Sequence, residues 1–351
     1  MPTDQPRRWF DAHLDLAYLA ERGRDMHAPL NDCRGPLQPA AVTLPALRDA
    51  NVRACLGTIF TEATKQGGPN DGPVGPYAYD LGNADAANRA GQRQLKLYQA
   101  WAAGDAITRM PRRGSHDAAT TDTIQLGILM ECADPILAPD DLTEWASAGV
   151  VAIGMAWWHE SRYAGGNGSD NAGLTDLGRA LIPVMDEHNV THDLSHLSQR
   201  ATDQLLERTD APVIASHSNC RALLPGDNHR HLADDTIREI ARRGGVIGIN
   251  LVRNFLDPTL AASKDPIPGD ATIDQVCDHI EHACEVAGDR RHVGLGSDMD
   301  GGITADDLPN GIDTPSDLHK ITDALAARGW SSDDLDAFAF GNWARFWNIT
   351  T

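Results

Sequence analysis

The 351-residue chain carries 50 acidic against 30 basic side chains, a formal charge of -20, and so lacks the basic stripe that neutralising a nucleic-acid backbone requires. Six cysteines (Cys33, Cys55, Cys132, Cys220, Cys277, Cys284) are scattered without a close CxxC pair, which argues against a disulfide framework or a cysteine zinc knuckle and for a reducing compartment. Residues 1–8 are polar and lead straight into a strand-like run with no apolar signal or spanning segment, so the expectation is a soluble, cytoplasmic protein without a membrane partner.

In chain order, a first strand is expected over 9–16, where alternation places His13 and Asp15 on one face. A short helix over 44–50 precedes a second strand over 52–60. The Gly- and Pro-rich stretch 61–79 that follows reads as a functional lid or a mobile segment. A helix over 84–103 leads to a third strand, 123–130, ending at Glu131, and a helix over 139–148 leads to a fourth, 150–156. Beyond it come Trp157, Trp158, His159 and the Gly-rich run 164–173, then an amphipathic helix over 174–188 that opens after Thr175. The fifth and sixth strands, 190–196 and 212–217, end in His196 and His217 and are separated by a helix over 198–208. A helix over 234–243, a seventh strand over 245–251, a helix over 273–287 and an eighth strand over 292–297 follow, the last ending at Asp298. Helical stretches over 315–328 and 332–340 close the chain.

Eight short strands alternating with helices, without a long internal linker, predict one domain over 1–351 built on parallel sheet with right-handed crossovers. Eight such units point to a closed (β/α)8 barrel of the TIM type, with an open doubly wound sheet as the competitor. Polar residues at so many strand ends favour the barrel, whose active site lies at the carboxyl-end mouth.

In a barrel, His13, Asp15, Glu131, His196, His217 and Asp298 all reach that mouth. A histidine at one strand end is more often a hydrogen-bonded structural residue than a ligand. Three imidazoles and three carboxylates together are enough for two divalent ions sharing an oxygen bridge. Nitrogen and oxygen donors without thiolate suit Zn²⁺, with Mn²⁺ or Co²⁺ as substitutes, and a metal pair polarises a carbonyl and lowers the pKa of a shared water. Several other residues have blander readings. His192 lies four before His196 and shares its face by parity, deeper in the barrel, as a core hydrogen-bonding residue; Asp193 points the other way as a structural group; His279 and His282 read as surface residues of their helix. Cys132 and Cys220 adjoin site residues without the spacing of a nucleophile, and Gly294 and Gly296 lack a nucleotide-loop pattern.

The stretches Asp11-Ala-His-Leu-Asp15, Met130-Glu131, Asp193-Leu-Ser-His196, Ser216-His-Ser-Asn-Cys-Arg221, His292 through Gly301 and Gly341-Asn-Trp343 resemble the renal or membrane-type dipeptidases, zinc peptidases of the amidohydrolase superfamily. The resemblance covers nearly the whole chain in order. It implies that His13 and Asp15 hold a first zinc, that His196 and His217 hold a second, and that Glu131 bridges them beside the water. It implies that Asp298 takes the proton of that water and passes it to the leaving amine, where the residue alone reads equally well as a cap of the following turn. Arg230 falls where the family places an arginine for the substrate carboxylate, although one arginine in a His-Arg-His run is by itself more often a solvated loop residue. The family's mammalian members carry a histidine after the fourth strand, facing the developing oxyanion. Here Trp157 stands in its place, with His159 two residues on as a replacement donor, and such a donor is typically worth about 2.7–4 kcal/mol. Trp157, Trp158 and Tyr163 equally suit an aromatic wall or packing, with one of the two tryptophans expected to pack and the other to contact the pocket.

The expected function is therefore a binuclear zinc dipeptidase, a homodimer by resemblance, acting on small dipeptides and admitting a D-residue at the carboxyl-terminal position. The competing readings are an amidohydrolase using the same metals on another small amide, lactam or ester, which Trp157 favours, and a non-catalytic metal-binding barrel, which the full ligand set disfavours.

Overall fold

The structure, a computed structural model, describes residues 6–64, 75–113, 123–262 and 269–349. Each of the eight expected strands is present: β1 (Trp9–Leu14), β2 (Val52–Ile59), β3 (Ile124–Met130), β4 (Val150–Gly154), β5 (Thr191–Asp193), β6 (Val213–Ile214), β7 (Ile247–Ile249) and β8 (Val293–Leu295). All ladders between neighbours are parallel, in the order β7-β8-β1-β2-β3-β4-β5-β6. A single bridge between Ala215 and Ile247 joins β6 to β7 and completes the ring. The open-sheet alternative is thereby excluded.

The physical basis is the two-residue period of the strands. On β3, Ile124, Leu126, Ile128 and Met130 face the helices, and Leu129 faces the barrel interior. The interior is filled by Phe10, Ala12, Leu56, Val151 and Ile214 together with Trp343 and Trp347 from a terminal helix, Asn342–Trp347, that the sequence reading does not anticipate. Trp343 is fully buried, stacks on Phe10 at 5.6 Å and donates its indole N–H to the Leu295 carbonyl at 3.0 Å. Gly294 is glycine for this reason, since a Cβ there would lie 2.4 Å from the Trp343 indole nitrogen. Gly296 has a similar role: its Cβ would sit 1.8 Å from the Ser216 carbonyl oxygen. Close packing, and not nucleotide binding, accounts for both.

The helices start where side chains satisfy their first amides. Asn83, Thr175, Ser198 and Thr272 each accept a backbone N–H from the first turn of the helix that follows. Among the described residues no helix is long and apolar enough to cross a membrane.

Three local expectations change. Residues 65–74 of the expected lid lie outside the described residues, and its flanks Glu62–Thr64 and Ala78–Asp80 pair as a small parallel sheet. His192 is fully buried, but its Nε2 meets Asp186 of the helix Asp176–Glu187 at 2.9 Å, so it faces the helix layer. The parity argument fails because the strand ends at Asp193 and the chain turns before His196. His279 is also buried, contrary to its expected surface position: its Nδ1 accepts the Cys220 amide at 3.2 Å, because the helix Ile273–Ala287 turns that face inward. His282 is one-fifth exposed and pairs with Asp234 at 2.9 Å.

Candidate metal centre

All six polar strand-end residues converge at the carboxyl-end mouth. His13 lies on β1 and Asp15 just beyond it; Glu131 follows β3; His196 follows β5; His217 follows β6; Asp298 follows β8. His196 and Asp298 both have left-handed backbones, with φ of +66° and +60°. Such conformations are costly for non-glycine residues and concentrate at functional sites.

Glu131 divides the cluster into two donor sets. Its Oε1 lies 3.2 Å from His196 Nε2 and 3.5 Å from His217 Nε2, and its Oε2 lies 3.7 Å from His13 Nε2. His13 Nε2 is in turn 3.7 Å from Asp15 Oδ1 and 3.9 Å from Asp298 Oδ1. The donor atoms of His13, Glu131 and His217, and those of His13, Asp15 and Asp298, lie within 4.8 Å of one another. Asp298 thus lies nearly as close to His13 as Asp15 does and shares a donor group with both.

The electrostatics fit divalent cations. Burial, reinforced by the charges of Asp15 and Asp298, pushes the Glu131 carboxyl well above the usual range. Burial and then Asp15 raise Asp298 to about 8, against the opposing pull of Arg230 and Asn250. Asp15 is raised to about 6 by burial, offset by the Thr58 hydroxyl that donates to it. Burial first, and cationic Arg230 in addition, hold His13, His196 and His217 far below the ordinary histidine range as neutral imidazoles. Three carboxylates strained toward protonation beside three neutral imidazoles are what a missing positive charge produces. Among the described residues His13 Nε2 and Glu131 Oε2 are buried without a hydrogen-bond partner, and the Nε2 atoms of His196 and His217 face each other at 2.8 Å. These residues therefore suit a metal pair. Cys132 does not join them: among the described residues, neither group of donor atoms that lie within 4.8 Å of one another includes its thiol.

A second layer holds the ligands. Ser216 Oγ donates to Asp193 Oδ2 at 2.6 Å and lies 2.7 Å from His217 Nδ1, so it can accept the Nδ1–H and leave Nε2 free. Asp11 likewise takes the amide and hydroxyl of Ser297, bracing β1 against β8 beneath His13. Asn250 donates Nδ2 to Asp298 Oδ2 at 2.9 Å and is itself fixed by Asn219, which accepts its backbone amide at 2.9 Å. The sequence reading misses Asn250, although it stands at the end of β7 and the rule of polar residues at strand ends would have found it.

The centre floors a cleft of about 360 Å³, at the small end for a ligand site. Arg230 lines it, is 3% exposed, and sits 5.0 Å above the Phe255 ring. Its Nη1 donates to Ser218 at 3.1 Å, and its Nε and Nη2, which share one edge of the guanidinium, are buried with no partner among the described residues. Burial lowers its pKa, with Asp298 and Glu131 opposing. Trp157 and Trp158 both line the cleft, whereas His159 is half-buried two residues from Trp157 and is not part of that lining. Trp157 meets Phe60 edge-on at 5.1 Å and lies 6.1 Å from the His196 ring. Tyr163 is fully buried behind the wall and donates to the Ile136 carbonyl at 2.7 Å.

An uncharacterized dipeptidase of Schizosaccharomyces pombe is 33% identical over 180 residues, covering 51% of this chain and 41% of that protein. A protein encoded in the pqqA 5' region of Klebsiella pneumoniae is 32% identical over 212 residues, covering 58% of this chain and 74% of that protein. The match to the yeast relative thus spans less than half of its length. Among solved structures, a metallopeptidase of family M19, dipeptidase AC, superposes with a TM-score of 0.79 at 23% identity, over 98% of this chain and 100% of its own. A metallopeptidase from Rhodobacter sphaeroides, liganded with a phosphinate mimic of the dipeptide L-Ala-D-Ala, has a TM-score of 0.78 at 23% identity, over 99% of this chain and 100% of its own. Both share the barrel. The sequence pattern of the membrane dipeptidases matches residues 5–351, and the chain belongs to that family, peptidase family M19.

Proposed function

We propose that the protein is a binuclear zinc dipeptidase that cleaves the amide bond of small dipeptides and accepts a D-residue at the carboxyl-terminal position. The observation that carries the proposal is the division of Glu131 between two donor sets at the floor of one cleft. His13 and Asp15 would hold one ion, His196 and His217 the other, and Glu131 both. Two divalent ions bound there supply a Lewis acid for the scissile carbonyl and lower the pKa of a shared water.

The remaining work falls to the chain's own side chains. Arg230 offers the free edge of its guanidinium to the substrate carboxylate as a bidentate anchor, which fixes the dipeptide's orientation in the cleft. Asp298, with Oδ2 tied to Asn250, keeps Oδ1 turned toward His13 and the centre, where it takes the proton of the attacking water and returns it to the leaving amine. Tyr18, Phe60, Trp157 and Trp158 exclude water from the cleft. The tolerance of a D-residue is supported by the dipeptide mimic bound to the Rhodobacter sphaeroides protein. The family resemblance supports a homodimer, which sedimentation tests.

Metal content of the purified protein, measured beside release of amino acids from L,L- and L,D-dipeptides, tests the reading. About two zinc per chain and turnover that disappears in Glu131→Gln and Asp298→Asn are expected; absence of metal under metal-replete conditions refutes it. Trp157 on the cleft wall, where the family's mammalian members carry a histidine, favours a second reading in which the same centre opens another small amide, lactam or ester. Zinc uptake without dipeptide turnover selects that reading.

A further inference from the structure

The Gly-rich loop after β4 grips the strand end that carries His196. Asn167 donates its backbone amide to the His196 carbonyl at 2.7 Å, Ser198 donates its amide to the Gly165 carbonyl at 3.0 Å, and Gly166 bridges to Leu197. The same loop is fastened on its other side, where Gly168 donates to the Trp158 carbonyl at 2.8 Å. Side chains are excluded from this grip: a Cβ on Gly166 would lie 2.0 Å from the Trp157 carbonyl oxygen, and one on Gly168 would lie 2.4 Å from the Trp158 indole. From between these glycines, Asn167 places its Oδ1 2.9 Å from His196 Nδ1. Its Nδ2 is shielded from solvent and has no partner among the described residues, so the contact with His196 is the side-chain hydrogen bond that this amide makes there.

We propose that Asn167 is a positioning residue for the metal centre, accepting the Nδ1–H of His196 and so presenting the Nε2 lone pair of His196 to the second ion. Imidazole carries one proton when neutral, and a ligand must carry it on the nitrogen away from the metal. A carbonyl oxygen facing Nδ1 enforces that tautomer. A donor in the same place would reverse it and cap the ligand atom with hydrogen. His217 receives the equivalent service from Ser216 and Asp193, within its own strand and the one before it. His196 has no such neighbour, and the loop supplies the acceptor from 29 residues away.

The inference rests on the proposed metal centre, and its test separates the two. Zinc-loaded wild type, Asn167→Leu and Asn167→Asp are titrated with a competing chelator, and zinc retained per chain is read together with the unfolding midpoint of each metal-free protein. Leucine keeps the volume and removes the acceptor; aspartate keeps the shape and can act only as acceptor when ionised. The expected result is about 10–100-fold weaker binding of one of the two zinc equivalents in Asn167→Leu, with Asn167→Asp within a few-fold of wild type. Unchanged affinity in Asn167→Leu, or equal losses in both variants, overturns the proposal and leaves Asn167 a packing residue. The imidazole ¹H–¹⁵N spectrum of zinc-loaded wild type is a measurement independent of how the variants fold. It must show His196 protonated at Nδ1, and an unprotonated Nδ1 overturns the proposal. Wild type that takes up no zinc removes the metal centre, and this role with it; a wild type with two zinc and an indifferent Asn167→Leu removes this role alone.

Discussion

Replacing Arg230 with methionine isolates the substrate anchor from the metal chemistry. Methionine fills much of the same volume above Phe255, but deletes the two donors, Nε and Nη2, that lie free on one edge of the guanidinium. Each hydrogen bond to a charged partner contributes about 1.5–3 kcal/mol, so loss of the pair costs roughly 3–4 kcal/mol after partial compensation, or roughly 10²–10³-fold in kcat/KM. The assay compares a free dipeptide with its carboxyl-terminal amide on wild type and Arg230→Met. Wild type should prefer the free acid by about that factor; the variant should treat the two alike and retain its zinc. Arg230→Lys should recover only part of the preference, because an ammonium cannot form the two parallel bonds of the guanidinium. The reasoning is refuted if wild type does not distinguish acid from amide, or if the variant loses activity on both equally.

Glu131→Gln keeps the shape of the bridge and removes its charge, so the variant should retain no more than one zinc equivalent by elemental analysis and show no turnover. In the metal-free protein the pKa of Asp298 is raised from 3.8 to about 8, so the folded state holds a proton that the unfolded state has released. Stability from this group is complete below the unfolded pKa and is lost as pH rises toward about 8. Below about pH 6.5 the depressed histidines act in the opposite direction, so the decline should show most clearly between about pH 6.5 and 8, and Asp298→Asn should reduce it in chemical denaturation, with the raised Glu131 carboxyl supplying the remainder. Trp343→Ala should cost about 3–5 kcal/mol by opening a cavity in the barrel interior and orphaning the Leu295 carbonyl, seen as a lower denaturation midpoint. Asp300 is fully buried, pairs with Arg24 and accepts the amides of Ala41 and Val42; Asp300→Asn should cost about 3–5 kcal/mol and speed hydrogen exchange across residues 24–42.

The barrel was legible in the sequence because its information is local. Each strand is a short apolar run, several helices announce their start with a capping side chain such as Asn83, Thr175, Ser198 or Thr272, and eight strand–helix repeats leave few topologies. The six polar residues of the centre were legible as lying at or just past strand ends, which brings them to the mouth; the direction of His196 and Asp298 was not, because each sits beyond its strand with a left-handed backbone. His192 marks where this reasoning stops: parity holds only while the strand continues, and the turn at His196 re-aims the chain. What the tertiary structure alone decided is everything that depends on a partner distant in sequence. Asn167 faces His196 and Asn250 faces Asp298 through loops and strand ends, with no periodic signal linking either pair. Likewise, Trp343 enters the barrel from a terminal helix and explains Gly294 nearly fifty residues earlier. The residue types of the candidate centre are written in the local pattern; the orientation and charge of these side chains are set by burial and by the neighbours that folding brings to them.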